Sequence, residues 1–261
     1  MSKMNNTMSS RAPIMTKVVF TFPYEAPYLT TYRCKKMMFE GLKIDGEVVI
    51  CDDYWGCYTP SIQKLREEFK KCNEEPSRLW SEIIELERKL ESVVFGWKKL
   101  KEEINEKKRL YEEKYKRCEP ILNELDEKAK RLNSELRRIF HEKLFEMTIK
   151  PYLMAISATD EEINKVRDVW LNTVELAVRY HTLMAFPIPK GFCRVSMTTE
   201  TYGTSPPYVG TTETYTVEIF TSYDFCELGA FIGTLKQQHR DLINAGCFTI
   251  SSDIEIERMN T

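Results

Sequence analysis

The sequence predicts an α+β protein. A long helical, coiled-coil-like middle segment is inserted between N-terminal strands and a C-terminal β-β-α-β module, and the two β regions join as one head. Three features of the chain carry this reading. Residues 17–58 are rich in β-branched and aromatic side chains, as in Lys17-Val-Val-Phe-Thr-Phe22. Residues 60–150 are dominated by Glu, Lys, Arg and Leu at helical spacing. Residues 159–257 open with a capped helix and return to Thr-, Tyr- and Val-rich runs. The expected organisation is a tail over 1–16, an N-terminal β segment over 17–58, a stalk over 60–150, and a helix with an α+β module over 159–257 that completes the head with 17–58. Residues 17–58 alone would make a marginal core, so the joined head is preferred over two separate β modules.

In the N-terminal segment, residues 17–22 and 30–39 are predicted strands. Asp45-Gly46 lies between Leu42-Lys-Ile44 and Val48-Val-Ile50, and this pair suits the positive φ angles of a tight hairpin. Residues 52–60 read as a loop.

The middle segment carries the strongest pattern. Leu79, Ile83, Leu86, Leu90, Val93, Trp97, Leu100 and Ile104 follow one another at alternating steps of four and three. This heptad seam keeps one stripe toward a partner helix. Pro76 suits a first helical turn, where its missing N–H would have no partner in any case. Pro120 removes a backbone donor and clashes with the preceding turn, so a kink or a reversal is expected there, with a kinked continuous rod preferred. A straight helix over residues 77–149 would span roughly 110 Å. No head of this size covers such a rod, so the seam must meet another chain, fold back, or pack on other helices.

Thr159-Asp-Glu-Glu162 forms a capping box, and a helix is expected from there to about Phe186. Its stripes are Ile163, Val166, Trp170, Val174, Ala177, His181 and Met184 on one side, and Val169, Leu176, Tyr180 and Leu183 on another. Two apolar faces predict burial on two sides. Asp224 is expected to cap the last long helix and Gly246 to stop it. Thr198-Thr-Glu-Thr-Tyr202 repeats as Thr211-Thr-Glu-Thr-Tyr215, as in two strands of a ribbon. Pairing Tyr202 with Thr211 would set Glu200 opposite Glu213, a like-charge pair that could receive a partner's cation. The ribbon tip, with Tyr208 and Val209, is a second candidate contact.

Composition limits the function classes. The chain has 261 residues, 42% apolar and 30% charged, enough for a folded core. Its 38 basic and 40 acidic residues give a net charge of −2, against general nucleic-acid coating. Basic pairs in the middle segment are interleaved with Glu, as on a solvated helix face. No secretory leader pattern is visible in residues 1–16, and no run of about 18 apolar residues exists, so membrane insertion is not expected.

The eight cysteines, Cys34, Cys51, Cys57, Cys72, Cys118, Cys193, Cys226 and Cys247, are scattered, without a Cys-x-x-Cys pair. Reduced thiols in an intracellular, reducing compartment are expected. A zinc site from Cys34, Cys51, Cys57 and Cys72 would need closer spacing. His181 reads as a core histidine, and Gly229 with Gly233 as a close helix contact. No catalytic residue, metal or cofactor is expected.

The functional expectation is a non-enzymatic structural or assembly protein that acts by helix pairing and docking of its β head. Its partners would be further copies or neighbouring subunits of a larger complex, for which a virus particle is one setting. The alternative is a regulatory adaptor with a peptide- or nucleic-acid-binding head.

Overall fold

The computed structural model describes residues 15–25, 29–52, 56–92, 95–202 and 210–255. The chain begins with β1 (Met15–Glu25), α1 (Leu29–Phe39), β2 (Lys43–Ile44), β3 (Glu47–Val48), β4 (Ile50–Asp52) and β5 (Gly56–Tyr58). Three helices follow: α2 (Pro60–Cys72), α3 (Glu74–Ser92) and α4 (Trp97–Met147). Next come α5 (Ile149–Ala155), α6 (Asp160–Tyr180), β6 (Met184–Ile188), β7 (Gly191–Tyr202) and β8 (Gly210–Thr221). The described chain ends with α7 (Phe225–Gln238), α8 (Arg240–Asn244) and β9 (Thr249–Glu255). Two compact units result. One holds the described residues up to Met38 and from Arg137 onward, and the other is Phe39–Leu136.

In the first unit an antiparallel five-stranded sheet runs β6-β7-β8-β1-β9. The N-terminal strand thus lies inside the C-terminal sheet. Period-two alternation explains why: Val18, Phe20, Phe22 and Tyr24 of β1 are buried with Val195, Met197, Tyr215, Val217 and Ile219 on one face. Phe140 of α4 packs on that face, edge-on to Phe22 and 4.6 Å from the ring of Tyr24. Thr21, Thr216 and Ser196 form a half-exposed polar row on the other face. Pro23 sits beyond the stretch of β1 that pairs with β9 and next to a register shift in its pairing with β8, so it has a strand on one side only.

The β6–β7 turn depends on Gly191. A Cβ there would lie 1.8 Å from the carbonyl oxygen of Phe220, a backbone atom that no rotamer change moves. Gly191→Ala is expected to cost on the order of 2–3 kcal/mol, read as a lowered urea midpoint. An unchanged midpoint would mean that β7 and β8 do not approach so closely.

The second unit carries the hairpins β2–β3 and β4–β5 and the three helices. Asp45 and Gly46 do turn the first hairpin, with φ of 52° and 82°. Of residues 17–58, then, β1 joins the large sheet and the two small hairpins belong to the other unit.

Three sequence expectations are corrected. The segment 30–39 is helical, because Cys34 and Met38, four apart, share a buried face. The segment 60–150 is not one rod. It breaks after Cys72 and again between Ser92 and Trp97, while α4 runs unbroken through Pro120. Pro120 and Lys116 are both exposed, so the carbonyl left without its helical donor faces water. The helix from Thr159 stops at Tyr180, and Met184 to Phe186 belong to β6.

Candidate interaction surfaces

The heptad seam closes on itself. Early residues of α3 meet late residues of α4. Glu75 pairs with Lys114 at 3.1 Å, Trp80 lies 5.2 Å from Tyr111, and Glu82 pairs with Lys107 at 2.6 Å. Cys72, at the end of α2, is disulfide-bonded to Cys118 of α4. The helices α3 and α4 are therefore an antiparallel hairpin, and the reversal falls between Ser92 and Trp97. Gly96 adopts a φ of 83°, a conformation that costs a residue without Cβ little. Leu79, Ile83 and Ile104 are buried, and Leu86, Leu90 and Leu100 are half-buried. Trp97 is 48% exposed at the turn end of the hairpin, and Val93 lies outside the described residues. The α4 stripe keeps its three-and-four spacing through Cys118, Leu122, Leu125, Ala129, Leu132 and Leu136, with no phase slip at Pro120.

Helix α6 presents the opposite case. Thr159 and Glu162 form the expected reciprocal cap, which fixes the start of the helix. Ile163, Val166, Trp170, Val174 and Ala177 are buried, and the Trp170 indole N–H donates to the carbonyl of His141 at 2.9 Å. The second stripe is not covered: Val169 is 39% exposed, Leu176 37% and Tyr180 64%, while Leu183, 55% exposed, lies beyond the end of the helix. The expected burial on two sides is met on one side only. His181 is not a core residue either. It ends the helix in the left-handed region, with φ of 47°, and is exposed. Gly229 and Gly233 face open space, so they mark no close helix contact.

In the ribbon, Glu200 lies opposite Thr212, and Glu213 opposite Thr199. The register is one residue from the expected one, so the two carboxylates point to opposite faces and do not repel. Glu213 already has a cation: Arg137 approaches it at 3.0 Å. Tyr208 and Val209 lie outside the described residues. No motif marks the Arg137 cluster, since this arginine stands in a Glu/Lys/Arg-rich helix and reads as solvated. It is half-buried, donates to the Tyr215 hydroxyl at 3.3 Å and lies 5.2 Å from the ring centre of Tyr24. His141 Nε2 is 3.3 Å from the same hydroxyl. A neutral imidazole accepts there, while the hydroxyl oxygen accepts from Arg137.

Burial, with the neighbouring Arg137 guanidinium adding to it, lowers the pKa of His141 from 6.5 to about 4. The folded state therefore refuses a proton that the unfolded chain accepts. Stability is expected to be constant just above pH 6.5 and to fall as pH drops toward 4. The loss amounts to up to about 3 kcal/mol. Urea midpoints measured across this range check it. His141→Gln should flatten the profile above pH 5, and an equally steep profile in that variant would assign the effect elsewhere.

The cysteines depart from expectation. Cys34 pairs with Cys247, Cys51 with Cys57 and Cys72 with Cys118, which leaves Cys193 buried and Cys226 exposed as thiols. The four candidate zinc ligands are divided among three separate disulfides. Cys51 and Cys57 face each other directly across β4 and β5, a pairing that their spacing and the intervening glycine could have suggested. Burial raises the pKa of the Cys193 thiol well above its ordinary range. Among the described residues no group of three His, Cys, Asp or Glu side chains is placed to hold a metal, and no helix is long and apolar enough to cross a membrane.

A groove of about 900 Å³ in the second unit is lined by Tyr58, Phe69, Leu122 and Leu125, with Arg66 and Lys70 among its polar residues. The Arg66 guanidinium lies 5.3 Å over the Tyr58 ring, and no histidine or cysteine lines the groove. No protein family, curated protein or solved structure matches this chain.

Proposed function

We propose that this protein is a non-enzymatic structural component that assembles with further copies of itself, stapled by its disulfides in an oxidising setting. The uncovered stripe of α6 carries the reading. Scattered apolar side chains on a surface need no explanation, but Val169, Leu176 and Tyr180 follow one another on α6 at steps of seven and four, which keeps them on one face. Two antiparallel copies of α6 crossing near Leu176 would set each Leu176 close to its counterpart and Val169 toward Tyr180, the self-matching arrangement of a two-fold interface. Helix pairing between chains thus moves from the Leu79–Ile104 seam, which is used internally, to α6. The inert character of the internal candidates supports a non-catalytic role: His141 is buried against Tyr215, and Cys193 is buried.

Sedimentation over a micromolar concentration series tests this. The wild type should self-associate, and Leu176→Lys should weaken association at least tenfold with unchanged circular dichroism. A wild type that stays monomeric throughout would overturn the reading.

A further inference from the structure

The turn that closes the α3–α4 hairpin breaks the rule by which surface turns are polar. Phe95 is 90% exposed and Trp97 48%, on either side of Gly96, and Val93 and Val94 precede them in sequence. Nothing in the hairpin needs these rings, because its apolar seam is closed further down by Leu79, Ile83 and Ile104.

Charge changes at the same end. Farther from the turn, cations are paired across the helices, as in Glu75–Lys114, Glu82–Lys107 and Glu87–Lys108. Nearer the turn, Arg88, Lys98, Lys99 and Lys101 are exposed, have no carboxylate within ion-pair distance among the described residues, and outnumber the exposed carboxylates of this end, Glu91, Glu102 and Glu103. Lys98 lies 5.7 Å over the Trp97 ring. Lys98 and Lys99 also occupy the first turn of α4, which has no acidic residue. Cations there oppose the helix dipole, so helix stability does not explain them.

We propose that this end of the hairpin docks on an anionic lipid bilayer, with Phe95 and Trp97 in the headgroup layer and Arg88, Lys98, Lys99 and Lys101 against lipid phosphates and carboxylates. Two aromatic residues on a protruding turn offer far less than the roughly 800 Å² per side of a stable protein interface. A lipid headgroup layer accepts such a protrusion from any direction. Trp and Phe favour that layer, and each basic residue near an anionic surface adds to binding. The contact is peripheral and involves no membrane-crossing helix, so it modifies the sequence expectation of no membrane insertion without requiring a span.

Vesicle co-sedimentation tests the proposal, with phosphatidylcholine vesicles containing phosphatidylserine or none. The wild type should bind the anionic vesicles, and half-molar salt should reduce the binding. Phe95→Ser with Trp97→Ser, and separately Lys98→Glu with Lys99→Glu, should each lower partitioning at least tenfold while circular dichroism is unchanged. Leu176→Lys should bind like the wild type, which separates this proposal from self-association through α6. Absence of binding at millimolar lipid, or binding unaffected by both double variants, would overturn it. A lipid-free change in sedimentation caused by Phe95→Ser with Trp97→Ser would assign the tip to a second copy and would also overturn it.

Discussion

Trp170→Ala is expected to be the most damaging single substitution in the first unit, at about 3–5 kcal/mol. The side chain is fully buried, lies 6.3 Å from Phe186 of β6, and satisfies the backbone carbonyl of His141. Alanine removes the ring and its hydrogen bond to α4 and leaves a cavity between α6 and the sheet. The α6 cap and the exposed stripe are untouched. Chemical denaturation should show a large drop in midpoint, with the unfolding slope unchanged if the native state stays compact. A loss below about 1 kcal/mol would mean that α6 does not pack on the core through this residue.

The second large effect concerns the staple between α2 and α4. Cys72 and Cys118 enclose 46 residues of sequence separation. On chain-entropy grounds such a cross-link limits the unfolded state by about 4 kcal/mol. Cys72→Ser should lower stability by up to that amount, and reduction of the wild type should do at least as much, since it opens Cys34–Cys247 and Cys51–Cys57 as well. Alkylation under non-reducing denaturing conditions should label two cysteines, Cys193 and Cys226. Eight labelled cysteines in protein prepared from an oxidising medium would contradict the pairing.

Local rules were legible in the sequence where a short motif carries its own geometry. The Thr159–Glu162 box, the Asp224 cap and the Asp45-Gly46 turn all depend on side chains reaching backbone a few residues away. The α+β class was legible because the change from β-branched runs to Glu/Lys/Leu periodicity is strong.

The hairpin turn was not legible, for a physical reason. An antiparallel hairpin presents the same apolar stripe on both arms, and Val93-Val-Phe-Gly-Trp97 happens to preserve the four-and-three rhythm across the reversal. Periodicity alone cannot separate that from one long helix. Gly96, with its positive φ, is the local signal of the reversal, whereas Pro120 lies within an unbroken helix. The Cys34–Cys247 link joins residues 213 apart, which spacing cannot reveal. His181 continues the apolar spacing of α6 past the point where the helix ends, so spacing alone assigns it to the core. The α6 surface was found as a stripe, but whether a stripe is covered depends on tertiary packing.

The internal closure of the Leu79–Ile104 seam is tested most directly by a distance between nitroxide labels at Ser81 and Arg109, both exposed. They would be introduced as cysteines in a Cys226→Ser background and diluted with unlabelled protein, so that only distances within one chain are read. If α3 and α4 formed one straight helix, the 28 intervening steps would place the labels about 42 Å apart. Side-by-side helices place them on the order of 20 Å apart. A narrow distribution near the shorter distance is the result expected here, and a distribution centred near the longer one would contradict it.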